Sequence, residues 1–145
     1  GARRAHLIPG RFRAGGGFEA PQASSGRTGA HHLFITHDLA VVRLFTEKLA
    51  ILYLGRIMEI GETQAIFSSP LHPYTEALIS VTPKLDPSKR KDKIILKGEI
   101  PSPLDPPRGC PFHTRCFKKI GEICETERPE LRDMGKGHFA ACHLY

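Results

Sequence analysis

The 145-residue sequence lacks any long apolar run, since the longest one covers only residues 49–54. A helix that crosses a bilayer needs about 20 apolar residues, so no membrane span is expected. The N-terminal residues include arginines but not the apolar core of a signal peptide, which predicts a cytosolic protein. Disulfides are rare in that compartment, so a cluster of cysteines there is better explained by a metal site.

Cysteine is absent from the first 109 residues, and all four cysteines lie close to the C-terminus, at Cys110, Cys116, Cys124 and Cys142. Four thiolates suit zinc or an iron–sulfur cluster. Structural zinc sites commonly contain cysteine pairs separated by two to four residues, and no such pair occurs here. Gaps of five, seven and seventeen residues favour a bulkier centre reached from separate loops. Metal-free thiols are a further alternative, and a mixed zinc site stays open through His113, His138 and His143.

Residues 1–32 lack lysine and any helical or strand-like apolar period, and they carry five arginines against one glutamate, Glu19. Most of the net charge of +6 therefore belongs to this segment. Its aromatic side chains are only Phe12 and Phe18, so no nucleic-acid partner is expected. We expect an unstructured basic segment. A second interpretation is an out-of-frame origin, because codons for residues 18–23 read one nucleotide later permit a helix-like pattern.

Residues 33–82 have patterns that predict alternating short strands and helices. Residues 33–36 form an apolar, partly β-branched run typical of a buried strand, and Asp38 can cap the helix that follows. Residues 49–60 predict a hairpin that turns at Gly55-Arg56. The remaining predictions are a strand break at Gly61, helices at residues 62–67 and from Pro73 onward, and a strand at residues 94–96.

Three segments resemble the last part of an ABC-transporter ATPase, and more narrowly the ATP-binding subunits of dipeptide and oligopeptide importers. They are FITHDL at residues 34–39, YLGRI at 53–57 and LHPYT at 71–75. A proline-rich stretch that leads into the cysteine run strengthens the match, which covers residues 33–145.

The resemblance implies an α/β fold in two parts. Residues 33–82 would be the C-terminal fragment of a P-loop ABC ATPase domain. Residues 83–145 would be the small, loop-rich C-terminal extension of the peptide importers, ligated by cysteines to an iron–sulfur centre.

The resemblance also implies that His37 is the switch histidine, which hydrogen-bonds the γ-phosphate of ATP and helps to hold the attacking water in line. Phosphoryl transfer depends on positioning and charge stabilisation, and a histidine at a strand end is a directional donor. The alternative is a histidine that caps the strand end or pairs with Asp38. The sequence has no G-x-x-x-x-G-K-[ST] phosphate loop and no acidic pair before Asp38. We therefore expect this chain to be inactive alone, with ATP and Mg²⁺ bound only in the complete subunit.

For the four cysteines, the resemblance implies that all of them bind a [4Fe–4S] cluster, with zinc as the alternative metal. A structural role is expected, because a small, loop-rich segment gains folding free energy from its metal. Neighbouring cations and aromatic rings could offset the charge of the cluster and exclude water. These neighbours are Arg115, Lys118 and Lys119, and Phe112, Phe117 and Phe139.

The function implied is coupling of ATP hydrolysis to the uptake of dipeptides or oligopeptides in the complete protein. The expected partners are transmembrane permease subunits, a second, homologous ATP-binding subunit and, indirectly, a peptide-binding protein. The expected location is the cytoplasm, peripheral on the inner face of the cell membrane. The alternative is a standalone four-cysteine metal, redox or regulatory protein with no role in nucleotide chemistry.

Overall fold

The computed structural model describes residues 32–82 and 92–145, so nearly all of the predicted basic segment 1–32 lies outside the described residues. The chain divides after His37 into two units, and the helices and strands below belong to the second, residues 38–145. In the part that is described, no helix is both long and apolar enough to cross a membrane.

The first elements follow the predicted order. Helix α1 spans Leu39–Phe45, and the Asp38 carboxylate caps it by accepting from the Ala40 and Val41 N–H groups at 2.9 and 3.3 Å. Strands β1 (Lys48–Tyr53) and β2 (Arg56–Glu62) then form the predicted antiparallel hairpin.

The hairpin turns one residue earlier than predicted. Leu54 and Gly55 both have positive φ angles, of 46° and 73°, as a tight two-residue turn between right-twisted strands requires. The predicted strand break at Gly61 is wrong, since Gly61 pairs with Leu49 inside β2. Its missing side chain makes room for His138, whose ring carbon Cδ2 would lie 3.0 Å from an added Cβ.

Two of the predicted strands are absent from the structure. Residues 33–36 are irregular and exposed. Residues 94–96 are also irregular. The Ile94 N–H donates to Ser80 Oγ at 3.0 Å and so has no need of a ladder partner.

Two short helices follow the hairpin, α2 at Thr63–Ser68 and α3 at Pro73–Val81. Both confirm the predicted helices, with Pro73 in the first turn of α3. His72 caps α3, because its Nδ1 accepts from the Tyr74 N–H at 3.0 Å.

The cysteine-rich segment adds four elements that sequence patterns did not reveal. They are a 3₁₀ turn at His113–Arg115, helix α4 at Ile123–Thr126, and strands β3 (Arg132–Asp133) and β4 (Phe139–Ala140). The sheet order is β1-β2-β4-β3, so β4 pairs directly with the hairpin. The described residues of the second unit thus form a mixed α/β assembly, in which the cysteine segment is attached to the hairpin through backbone hydrogen bonds.

An irregularity in β2 determines what the hairpin buries. The register shifts so that Ile51 pairs with Glu59 while Leu52 pairs with Ile57, which leaves Met58 as an extra residue. A bulge of this kind bends a strand and redirects its side chains. As a result, Met58 and Glu59 are both buried although they are consecutive.

Candidate metal centre

The four cysteines reach the centre from separate pieces of backbone. Cys110 precedes the 3₁₀ turn, Cys116 follows it, Cys124 lies in α4 and Cys142 comes two residues after β4. Each is a free thiol; Cys110 and Cys124 are buried, and the other two are half-buried. The backbone holds two of these pieces together, since the Cys110 N–H donates to the Cys124 carbonyl at 2.9 Å.

The thiols lie within electrostatic reach of one another. The pKa of Cys110 is raised to about 11, mainly by burial and also by negative charge at Cys142, Cys116 and Cys124. Burial likewise raises the pKa of Cys116 and Cys142, and charge at Cys124 adds to both shifts. The four sequence-predicted ligands therefore share one neighbourhood.

The structure nevertheless does not form these thiols into a site for a single metal ion. Among the described residues, no three cysteine, histidine or acidic side chains come together tightly enough for one metal. A zinc–sulfur bond of about 2.3 Å puts two ligands of a tetrahedral ion about 4 Å apart. Among the residues that the structure describes, neither a zinc site nor an iron–sulfur site ligated by the cysteines is therefore shown.

Backbone N–H groups point at three of the sulfurs. The N–H groups of Phe112, Lys118 and Leu144 each hydrogen-bond the cysteine two residues before them and lower its pKa, though by less than burial raises it. Such hydrogen bonds favour the thiolate, and they tune the potential of iron–sulfur clusters. These N–H groups offset only part of the effect of burial, and the pKa of each of the three thiols stays above its usual value.

The three histidines of the segment direct ring nitrogens at oxygen atoms. His113 Nδ1 lies 2.8 Å from the Cys110 carbonyl oxygen, and His143 Nε2 lies 2.9 Å from the Glu127 carbonyl oxygen. His138 Nε2 lies 2.7 Å from Glu59 Oε1. Each contact uses one ring nitrogen and leaves the other able to bind a metal, so these hydrogen bonds do not decide between an all-cysteine site and a mixed cysteine–histidine zinc site.

Only one of the predicted aromatic shields is fully buried. Phe112 has no exposed surface and makes edge-on contact with Tyr53, at 5.3 Å between ring centroids. It also contacts Tyr74 at 5.2 Å and His72 at 5.7 Å. Phe117, by contrast, is 44% exposed and cannot exclude water as predicted.

The positive charge of Lys118 lowers the pKa of the Cys116 thiol, and both predicted lysines also form ion pairs with carboxylates. Lys118 forms an ion pair with Glu76 at 2.6 Å, and Lys119 forms one with Glu125. Their charge is balanced by carboxylates on the protein surface. The N–H groups described above are the positive dipoles that face the sulfurs.

Glu59 is the central polar residue that sequence reasoning missed. Its Oε1 accepts from the Leu71 N–H at 2.9 Å and from His138 Nε2 at 2.7 Å, while Oε2 accepts from the His72 N–H at 2.9 Å. One buried carboxylate thus joins β2, the start of α3 and the cysteine segment. The available signal was a glutamate within the apolar run Ile57-Met58-Glu59-Ile60.

Comparison with known proteins supports the resemblance. Residues 58–124 match the family "Oligopeptide/dipeptide transporter, C-terminal region". The chain is 46% identical over 116 residues to the oligopeptide transport ATP-binding protein AppF of Bacillus subtilis, which covers 79% of this chain. It is also 46% identical over 114 residues to the dipeptide transport ATP-binding protein DppF of Haemophilus influenzae. A candidate peptide import ATP-binding protein of Brucella ovis is 50% identical over 116 residues.

The chain spans about a third of the length of these curated relatives, 36% for the Brucella protein and 35% for the other two. The family segment begins at Met58 in the bulge and ends at Cys124 in α4. It therefore contains Glu59, Phe112 with two of its three ring neighbours, His72 and Tyr74, and three of the four cysteines.

His37, the predicted switch histidine, is exposed and lies at a bend. It precedes the transporter C-terminal segment in the chain and belongs to the first unit, whereas the cysteines belong to the second. The structure contains no nucleotide that would test its predicted contact with the γ-phosphate.

His72, inside the transporter segment, makes stability depend on pH. Burial lowers its pKa from 6.5 to about 4, so the unfolded chain takes up a proton below pH 6.5 that the folded chain refuses until about pH 4. The free energy of unfolding is therefore expected to fall by about 3 kcal/mol as the pH drops through this window. Urea unfolding between pH 4 and 7 measures it. His72→Asn keeps an acceptor for the Tyr74 N–H but does not titrate, and an unchanged pH slope in this variant would contradict the assignment.

Proposed function

We propose that this chain is the C-terminal part of an ATP-binding subunit which, in the complete protein, couples ATP hydrolysis to uptake of dipeptides or oligopeptides. The family match over residues 58–124 carries the proposal, and the names of the relatives agree with it. ATP and Mg²⁺ belong to the complete subunit. Its partners are membrane permease subunits, a second ATP-binding subunit and, indirectly, a peptide-binding protein, and it acts at the cytoplasmic face of the membrane.

His37 is proposed as the switch histidine of that subunit. Its place directly before the Asp38 cap of α1 supports this role, because the cap fixes the start of the helix that follows. A histidine so placed can donate to the γ-phosphate and orient water, which is the kind of assistance that phosphoryl transfer requires.

A chimera tests this function. In the Bacillus subtilis oligopeptide transport protein, the segment that matches this chain is replaced by the corresponding residues of this chain. We expect the chimera to hydrolyse ATP and to support oligopeptide uptake in a strain without the native protein. His37→Ala should abolish both, since it removes a donor to the transferred phosphate. His113→Ala, in the cysteine segment, is the control and should retain hydrolysis. A folded chimera that is inactive, or full activity in His37→Ala, would contradict the proposal.

The four cysteines are proposed to bind a [4Fe–4S] cluster with a structural role. The support is the presence of four free thiols, three of which have a backbone N–H group beside the sulfur, and whose charges reach Cys110 from the other three positions. Cluster binding supplies folding free energy to loops that bury little apolar surface. The alternative of a standalone redox protein is less well supported, because β4 is paired with the hairpin and Phe112 is buried against it.

Anaerobic purification followed by iron, sulfide and zinc analysis tests the cluster. We expect about four irons and four sulfides per chain, with visible absorbance. Cys124→Ala and Cys142→Ala should each lose most of the iron. His113→Gln leaves the thiols intact and should retain it. A folded protein with stoichiometric zinc, or with no metal, would show that the cluster assignment is wrong.

A further inference from the structure

We propose that the four-cysteine site controls the order of the first turn of α3, through the hairpin, so that filling the site stabilises a part of the ATPase that contains no cysteine. This inference rests on the proposed metal centre. Metal binding at the cysteines would then determine how well the first turn of α3 is ordered.

The first connection is Phe112, which lies between Cys110 and Cys116 in the chain. Its N–H hydrogen-bonds the Cys110 sulfur, while its ring is fully buried against Tyr53 of β1 and His72, the cap of α3. A shift of the Cys110 loop must therefore move a ring that packs against both elements. Closely packed interiors transmit such shifts.

The second connection runs from Cys142. The preceding residue, Ala141, is buried and donates its N–H to the Met58 carbonyl at 2.8 Å, which extends the pairing of β4 with β2. The residue after Met58 is Glu59, whose carboxylate holds the Leu71 and His72 N–H groups. Backbone pairing near Cys142 thus continues into the bonds that start α3.

The other two cysteines lie on pieces with less support. The segment between Cys116 and Cys124 is exposed at residues 117–123, and Cys124 lies in a helix of only four residues. Two ligands thus lie beside bonds to the hairpin, and two lie on an exposed loop that is held by the Cys110 N–H bond to the Cys124 carbonyl and by the Lys118–Glu76 ion pair. Binding at all four positions must restrict the loop relative to the hairpin, and the binding free energy then opposes local opening of both.

Amide hydrogen exchange of the 145-residue chain tests the coupling, with and without reconstitution by iron and inorganic sulfide. We expect loading to slow exchange about tenfold or more at Ala141 and also at Leu71 and His72, whose N–H groups bond to Glu59. The Thr46 N–H, which bonds to the Val42 carbonyl in α1, is the internal control and should not change.

Suppose that iron and sulfide bind and slow amide exchange at Ala141 without slowing it at Leu71 and His72. That result would contradict the proposed coupling to α3, while the metal centre would be retained. If neither iron nor sulfide binds, the metal centre itself fails. Phe112→Leu should bind iron yet lose most of the slowing at His72. Phe117→Leu changes the same side chain at an exposed position of the same segment and should keep it. If loading slowed amide exchange at His72 equally in the two variants, Phe112 would not transmit the effect of the metal to α3.

Discussion

Replacing Glu59 with alanine is expected to lower the free energy of unfolding by about 3–5 kcal/mol, the usual cost of removing one partner from a buried polar network. The carboxylate is fully buried and accepts three hydrogen bonds, from Leu71, His72 and His138. Without it, two backbone donors and an imidazole lose their acceptor in a place that water does not reach. Buried donors without partners are costly.

Urea unfolding of anaerobically prepared protein measures this effect. Glu59→Gln keeps the volume but has one acceptor oxygen and one amide group, so it should lose about 1–3 kcal/mol. Glu62→Ala removes a carboxylate three residues further along β2, where the side chain is exposed and makes no capping bond. It should change stability by less than about 0.5 kcal/mol. A Glu59→Ala variant as stable as Glu62→Ala would show that the network does not hold the start of α3.

Local features of the chain could be predicted because their causes are local. Asp38 caps α1 and Pro73 opens α3, and each effect depends on residues within one helical turn. The hairpin also follows from its apolar strands and from a glycine at its turn. In each case the residues that cause the structure lie within a few positions of it in the sequence.

Features that depend on distant pairing could not be predicted in this way. Residues 33–36 have the composition of a buried strand, yet they are exposed, because burial and ladder bonds depend on a neighbouring strand. The pairing of Glu59 with Ala140 joins positions some 80 residues apart in short strands that carry no clear alternation. A register shift at Met58 decides that Glu59 faces inward, and single-residue shifts of this kind are not visible in an apolar run.

In the candidate site, too, local features could be predicted and features that depend on tertiary packing could not. The cysteines themselves stand out by residue type and position, and the structure brings all four together. The residues that attach them to the hairpin do not stand out, since Phe112 was grouped with the exposed Phe117 as an equivalent aromatic side chain. Exposure depends on which loop packs inward, and that choice is made by the tertiary fold.

Gly109→Ala is expected to cost about 3–4 kcal/mol in stability and most of the bound iron, because it combines backbone strain with a clash. Gly109 has φ +68°, and a Cβ there would lie 2.6 Å from the carbonyl oxygen of Cys124 and 2.6 Å from the carbonyl carbon of Glu125. Both contacts are with backbone, which cannot rotate away. The backbone at Gly109 would have to move away from α4. The 2.9 Å hydrogen bond from the Cys110 N–H to the Cys124 carbonyl would then break.

Gly55→Ala separates the two causes, because Gly55 has nearly the same φ, +73°, but open space where its Cβ would stand. It should lose only about 1 kcal/mol, the cost of a left-handed conformation for alanine, and should bind iron normally. Urea unfolding and iron analysis of the two variants, prepared anaerobically side by side, give the comparison. Equal losses in the two would mean that strain alone operates at Gly109. The close approach of its backbone to α4 would then not be what brings Cys110 and Cys124 to one centre.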